Sequence, residues 1–144
     1  MRLLAKKISS GLSGNEVIFL SGILGAGKTF ISGSIANHLG VEREVISPTF
    51  SLCREYSYNI NNIQKKIFHF DLYRLTAYSQ LKELSFEDIL AGSNGLILVE
   101  WPECIADIDL AKKIKKLSPQ RKICWIEISL AENLKDRKVV FRHE

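Results

Sequence analysis

A chain of 144 residues, 46% of them hydrophobic and 25% charged, has the size and balance of one folded domain spanning 1–144 and excludes a disordered or fibrous protein. Its longest apolar runs fall short of the roughly eighteen residues a membrane helix needs. The start "MRLLAKKISS" has only a three-residue apolar run, too short for a secretory signal core, so a cytoplasmic protein with no membrane partner is expected.

The formal charge of +4 is spread over pairs such as Lys112 with Lys113 and Arg121 with Lys122. These read as solvated surface before they read as a patch for RNA or an acidic protein. Cys53, Cys104 and Cys124 have no CxxC spacing, and His38, His69 and His143 have no second ligand at metal spacing. Neither a disulfide framework nor a zinc site is expected, and the cysteines read as small apolar fillers.

In chain order, "EVIFL" (Glu16–Leu20) follows a Gly-Asn turn signal and fits a buried parallel strand. The glycine-rich "SGILGAGKTF" (Ser21–Phe30) comes next, and then Ile31, Ile35 and Leu39 recur at helical spacing up to Gly40, which can end the helix. "EVISPTFSLCREYSY" reads as extended chain broken at Pro48. "KKIFHFDLYRL" reads as a strand with Phe68 and Phe70 on one face and His69 and Asp71 on the other. "LKELSFEDILAG" has a helical pattern ending at Gly92, and "GLILVEW" is a second wholly apolar strand, ending at Glu100. "KICWIEISL" and "RKVVFRH", joined by the polar "AENLKD", fit an antiparallel edge hairpin. The pattern predicts an α/β fold of the P-loop NTPase type: a mostly parallel central sheet, helices on both faces, antiparallel edge strands, and ligand at the carboxyl ends of the strands.

Gly22, Gly27, Lys28 and Thr29 satisfy GxxxxGK[ST], the phosphate-binding loop. Gly25 and Gly27 can take positive φ, so successive backbone amides turn toward a phosphate, with Ala26 between them and Phe30 just beyond. Lys28 supplies a point charge between the outer phosphates, Thr29 a hydroxyl for Mg2+, and the helix its positive N-terminal end. ATP with Mg2+ is the expected ligand.

A second acid should help hold the metal, and two strand ends offer one. Glu100 has the cleaner apolar approach and is assigned to Mg2+, with Asp71 positioning the attacking water or ordering the groups around the metal. A salt bridge to Arg74 is the alternative for either carboxylate. Thr49 in "SPTF" is a candidate γ-phosphate sensor, with an ordinary Pro turn as the alternative. Trp101 reads as a core aromatic ahead of a nucleotide neighbour.

The ordered series "GILGAGKT", "SPTFSL", "HFDLYRL" and "LVEWPE", spanning Gly22–Glu103, resembles the bacterial tRNA threonylcarbamoyladenosine biosynthesis ATPase family, TsaE. The resemblance implies an ATPase that resets a TsaB and TsaD complex, which modifies the adenosine beside the tRNA anticodon, with tRNA met indirectly or weakly. It also implies that Lys28 and Thr29 bind phosphate and metal, that Asp71 is essential near the nucleotide, that Glu100 ligates Mg2+, and that Arg137 in "DRKVV" is the late arginine near ATP. This chain has Ile23 where the family usually has an acid and Phe30 where it has a second Thr. Where family members often have an early helix with a Thr near the adenine, it offers only Ser9, Ser10 and Ser13. Rival readings are a small-molecule kinase, which needs a lid with arginines between Leu75 and Gly92, and a nucleotide-gated binding module with negligible turnover. A GTPase would need N-K-x-D, and "NLKD" has those residues in the wrong order.

Overall fold

The two wholly apolar runs lie side by side at the centre of one six-stranded sheet in the computed structural model, which describes residues 1–92, 95–133 and 135–143. In chain order the elements are α1 (Arg2–Ser10), β1 (Glu16–Gly22), α2 (Lys28–Leu39), β2 (Cys53–Ile60), β3 (Ile63–Asp71), α3 (Tyr78–Glu83), α4 (Phe86–Ala91), β4 (Gly95–Glu100), a 3-10 turn (Pro102–Cys104), α5 (Leu110–Leu117), β5 (Lys122–Leu130) and β6 (Arg137–His143). The strand order is β2-β3-β4-β1-β5-β6. The inner four strands are parallel, and β2 and β6 pair antiparallel at the two edges, as the sequence pattern predicts.

Every residue of β4 and the first five of β1 are buried, because both sheet faces are covered. On one face Ile18 and Leu20 pack with Ile31 and Ile35 of α2 and with Ala5 and Ile8 of α1. On the other, Val17 and Phe19 pack with Leu81, Phe86, Leu90 and Ile114 of α3, α4 and α5. The α2 helix ends at Gly40 with φ of 105°, a left-handed residue that lets the Gly40 and Val41 amides reach back to Asn37 and Ala36. No helix among the described residues is long and apolar enough to cross a membrane.

Several local readings change. The single helix expected over "LKELSFEDILAG" is two short ones, broken at Ser85, whose φ is 58°. In an unbroken helix Leu81 and Phe86 would point about 140° apart, yet both are fully buried against the same sheet face. Neither α1 nor α5 was assigned from local spacing. In α1, Ala5 and Ile8 stand at i and i+3 and bury against α2. The β2–β3 connection is a two-residue turn with both asparagines left-handed (Asn61 φ 50°, Asn62 φ 63°), the geometry that suits a tight hairpin. The polar turn expected between β5 and β6 includes Leu134, which lies outside the described residues.

Arg121, read as half of a solvated basic pair, is instead only 1% exposed. Its guanidinium donates to the carbonyls of Leu90 (3.0 Å), Gly95 (2.6 Å) and Gly92 (2.6 Å). Burial pushes its pKa down and the nearby Glu16 carboxylate opposes that. The charge serves carbonyls at the end of α4 and the start of β4, that of Leu90 shared with the Ser118 hydroxyl at 2.8 Å, which is a structural use. Arg121→Met should cost about 3 kcal/mol, since each orphaned buried acceptor costs roughly 1–3 kcal/mol. The check is a lowered urea midpoint with an unchanged slope; an unmoved midpoint would show these bonds to be dispensable.

Candidate nucleotide site

The loop begins where two backbones come close. A Cβ on Gly22, whose φ is 146°, would overlap the Ile128 carbonyl of β5, so only glycine permits this approach. Gly25 and Gly27 also have positive φ, 76° and 108°, as expected. Ala26 is buried beneath the turn. Gly27 caps α2 without a side chain, leaving the amides of the first turn available to an anion.

Lys28 is folded back onto its own loop. Its Nζ donates to the carbonyls of Gly22 (2.6 Å) and Ile23 (3.1 Å) and stands 3.5 Å from the centre of the Trp101 ring. Burial pushes the Lys28 pKa down, while Glu100, Glu103 and Asp71 act against that shift. Trp101 is therefore not a core residue. It is half-buried, left-handed at φ 59°, tied to β1 by its amide on the Leu20 carbonyl, and 5.0 Å from the Tyr73 ring. Its indole face attracts a cation.

Asp71 and Glu100 end neighbouring parallel strands in the same register. Both are buried, at 3% and 2% exposure. Glu100 accepts from Thr29 Oγ1 (3.1 Å, on Oε2), from His69 Nε2 (2.7 Å, on Oε1) and from Ser32 Oγ (3.5 Å, on Oε1). Asp71 accepts from the hydroxyls of Thr49 (2.7 Å) and Ser47 (3.2 Å) and from the Tyr73 amide (3.0 Å). Arg74 stacks instead over the Phe50 ring at 4.7 Å. Thr49 thus ties the loop before β2 to the end of β3.

Lys28, Thr29, Thr49, Asp71, Glu100 and Trp101 line one cavity of about 340 Å³, to which Gly25, Gly27 and Phe30 also contribute. A larger groove of about 450 Å³ between α1 and β5–β6, lined by Leu4, Ile8 and Phe141 among others, lacks this convergence of hydroxyls, carboxylates and loop backbone. Arg137 is exposed, at the start of β6 opposite Leu130. It lies at the carboxyl end of β5 and is not among the residues lining the cavity. Ser9 and Ser10 bond the carbonyls of Lys6 and Lys7, and Ser13 bonds Glu16. The part of α1 that reaches the loop is its start: Met1 lies beside Gly27, and the Arg2 guanidinium stands 5.8 Å from the Phe30 ring centre.

Sequence reasoning missed His69, Ser32 and Ser47. The signals were present: His69 shares the strand face of Asp71, and Ser32 stands three residues from Thr29 on α2. The cysteines are free, and burial pushes Cys53 up to about 12 and Cys124 up to about 11, so both are inert as thiolates at neutral pH.

No group of three or more His, Cys, Asp or Glu side chains able to hold a metal occurs among the described residues. Thr29 and Glu100 provide one hydroxyl and one carboxylate oxygen side by side, a donor set suited to Mg2+, which keeps its other positions for water and phosphate oxygens.

The family model described as threonylcarbamoyl adenosine biosynthesis protein TsaE matches residues 1–139. The tRNA threonylcarbamoyladenosine biosynthesis protein TsaE of Rickettsia felis is 36% identical over 135 residues, covering 90% of this chain and 75% of that protein. Its counterpart in Aquifex aeolicus is 34% identical over 121 residues, covering 83% and 82%. The crystal structure of Bacillus subtilis YdiB superposes with a TM-score of 0.60 at 26% identity, over 97% of this chain and 76% of that one. The fold, the glycine loop and the match along nearly the whole length agree, and the chain belongs to the TsaE family of threonylcarbamoyl adenosine biosynthesis proteins.

Proposed function

We propose that this chain is an ATP hydrolase of tRNA threonylcarbamoyladenosine biosynthesis, working in the cytoplasm with TsaB and TsaD and resetting that complex between turnovers. The observation that carries the reading is the convergence of Lys28, Thr29, Asp71 and Glu100 on one cavity at the carboxyl ends of the parallel strands. In this reading the loop amides and Lys28 bind the phosphates, and Thr29 with Glu100 holds the metal. Mg2+, when bound, supplies neutralisation of the phosphate charge that grows during transfer. Asp71 orients the attacking water for in-line displacement at the γ-phosphate, and Thr49, already bonded to Asp71, lets the "SPTF" loop respond to that phosphate.

Partner dependence has its own support. Leu24 (76% exposed) and Tyr73 (50%) line the cavity, and Phe50 (86%) follows Thr49, which lines it too. Exposed apolar groups gathered at a site favour protein contact there. A kinase lid finds no support, because Leu75–Gly92 has no arginine and buries Tyr78, Leu81, Phe86 and Leu90 in the opposite core. Arg137 completes the site only if a partner or the nucleotide draws the β5–β6 turn inward, and tRNA is met indirectly or weakly.

The test is phosphate release by the chain alone and with TsaB and TsaD present. Slow intrinsic release, raised at least about tenfold by the complex, is expected, together with capture of the complex in ATP and not in ADP. Equal release with and without the complex would remove the resetting role, and no release in either case would leave a nucleotide-gated module.

A further inference from the structure

His69 is wholly buried and points to the same side of β3 as Asp71. Its Nε2 lies 2.7 Å from Glu100 Oε1. The other ring nitrogen, Nδ1, is buried with no hydrogen-bond partner among the described residues. A carboxylate only accepts, so the ring proton at this contact sits on Nε2, and Nδ1 is the unmatched acceptor. An unmatched buried nitrogen is unfavourable. The ring is therefore held in place by what Nε2 does.

The two oxygens of Glu100 have different neighbours. Oε1 receives His69 and, more distantly at 3.5 Å, Ser32; Oε2 receives the Thr29 hydroxyl at 3.1 Å. The torsion that turns a carboxylate about its last bond is broad and poorly restrained on its own. A short bond to one oxygen removes that freedom and fixes the direction of the other. His69 can do this rigidly, because it stands on the strand next to Glu100 and opposite Leu98 in the β3–β4 register.

We propose that His69 is a positioning residue: its Nε2–H holds Oε1 of Glu100, so that Oε2 is aimed beside the Thr29 hydroxyl at one divalent cation. The inference rests on the reading of Glu100 as a metal ligand. Hydrogen-bond partners of this kind typically change metal affinity by about 10–100-fold.

The decisive comparison is His69→Asn against His69→Gln. Both side chains are polar and uncharged, but only the Gln amide reaches the place of Nε2. Affinity for a non-hydrolysable ATP analogue is measured in EDTA and in saturating Mg2+, with Glu100→Gln as reference. His69→Asn should lose at least about tenfold of the gain conferred by Mg2+ while its affinity in EDTA stays within about twofold of the parent, and His69→Gln should keep most of the gain. Identical behaviour of the two variants, or a parallel fall in EDTA, would overturn the proposal. If Glu100→Gln keeps the full gain, the metal-ligand reading fails and the inference falls with it. If Glu100→Gln loses the gain and His69→Asn does not, the inference alone fails. The unsubstituted protein offers a check that does not depend on any variant folding: ¹⁵N-labelled imidazole should show the Nε2–H tautomer of His69 before and after Mg2+ and the analogue are added, and an Nδ1–H tautomer would overturn the proposal.

Discussion

Lys28→Ala is expected to lower ATP hydrolysis on the order of 10²–10³-fold and to abolish support of tRNA modification. The magnitude is that of removing one preorganised charge from a developing phosphate anion, about 2.7–4 kcal/mol of transition-state stabilisation. The effect is large here because Lys28 is the one cationic side chain among the described residues lining the cavity, where it faces Asp71 and Glu100. Without it those carboxylates repel a triphosphate. Some stability, about 1–3 kcal/mol, should be lost as well, since the buried lysine's bonds to the Gly22 and Ile23 carbonyls go with it, although its desolvation already disfavours the charge and offsets part of that loss. Thermal melting and phosphate release measured on the same sample separate the two effects. A variant that still supported tRNA modification would remove the nucleotide from the function of this chain.

Glu100→Gln is expected to reduce Mg2+-dependent hydrolysis by on the order of 10² or more while leaving nucleotide affinity in EDTA within about threefold. The substitution keeps the shape of the side chain and an oxygen able to accept from His69, so the buried network around it persists. What it removes is the negative charge beside Thr29. Loss of hydrolysis and of metal-free affinity in equal measure would reassign Glu100 to structure. Asp71, whose three hydrogen bonds come from the "SPTF" loop and the Tyr73 amide, stands apart from that network, and this difference in partners supports separate tasks for the two acids.

Much of the architecture was legible from short-range spacing. Apolar runs of strand length with no polar alternation, bounded by turn signals, fit strands covered on both faces, which is what β1 and β4 are. The GxxxxGK[ST] spacing specifies a backbone path, because positive φ at Gly25 and Gly27 is cheap only for glycine. Gly40 ended its helix, and β5 and β6 paired at the edge. Such features depend on residues within one turn or one hairpin of each other.

Contacts between distant residues came only with the assembled sheet. A separation of 31 positions in the chain hides the pairing of His69 with Glu100, which exists because β3 and β4 align in one parallel register. The same holds for Arg121, whose basic neighbour suggested solvent until the end of α4 and the start of β4 closed over it, and for Trp101, turned by a left-handed backbone onto Lys28. Periodicity reports which side of an element is apolar. It carries no information on which polar group from another strand will be buried against it, because that is fixed by register and layer packing over long separations in the chain.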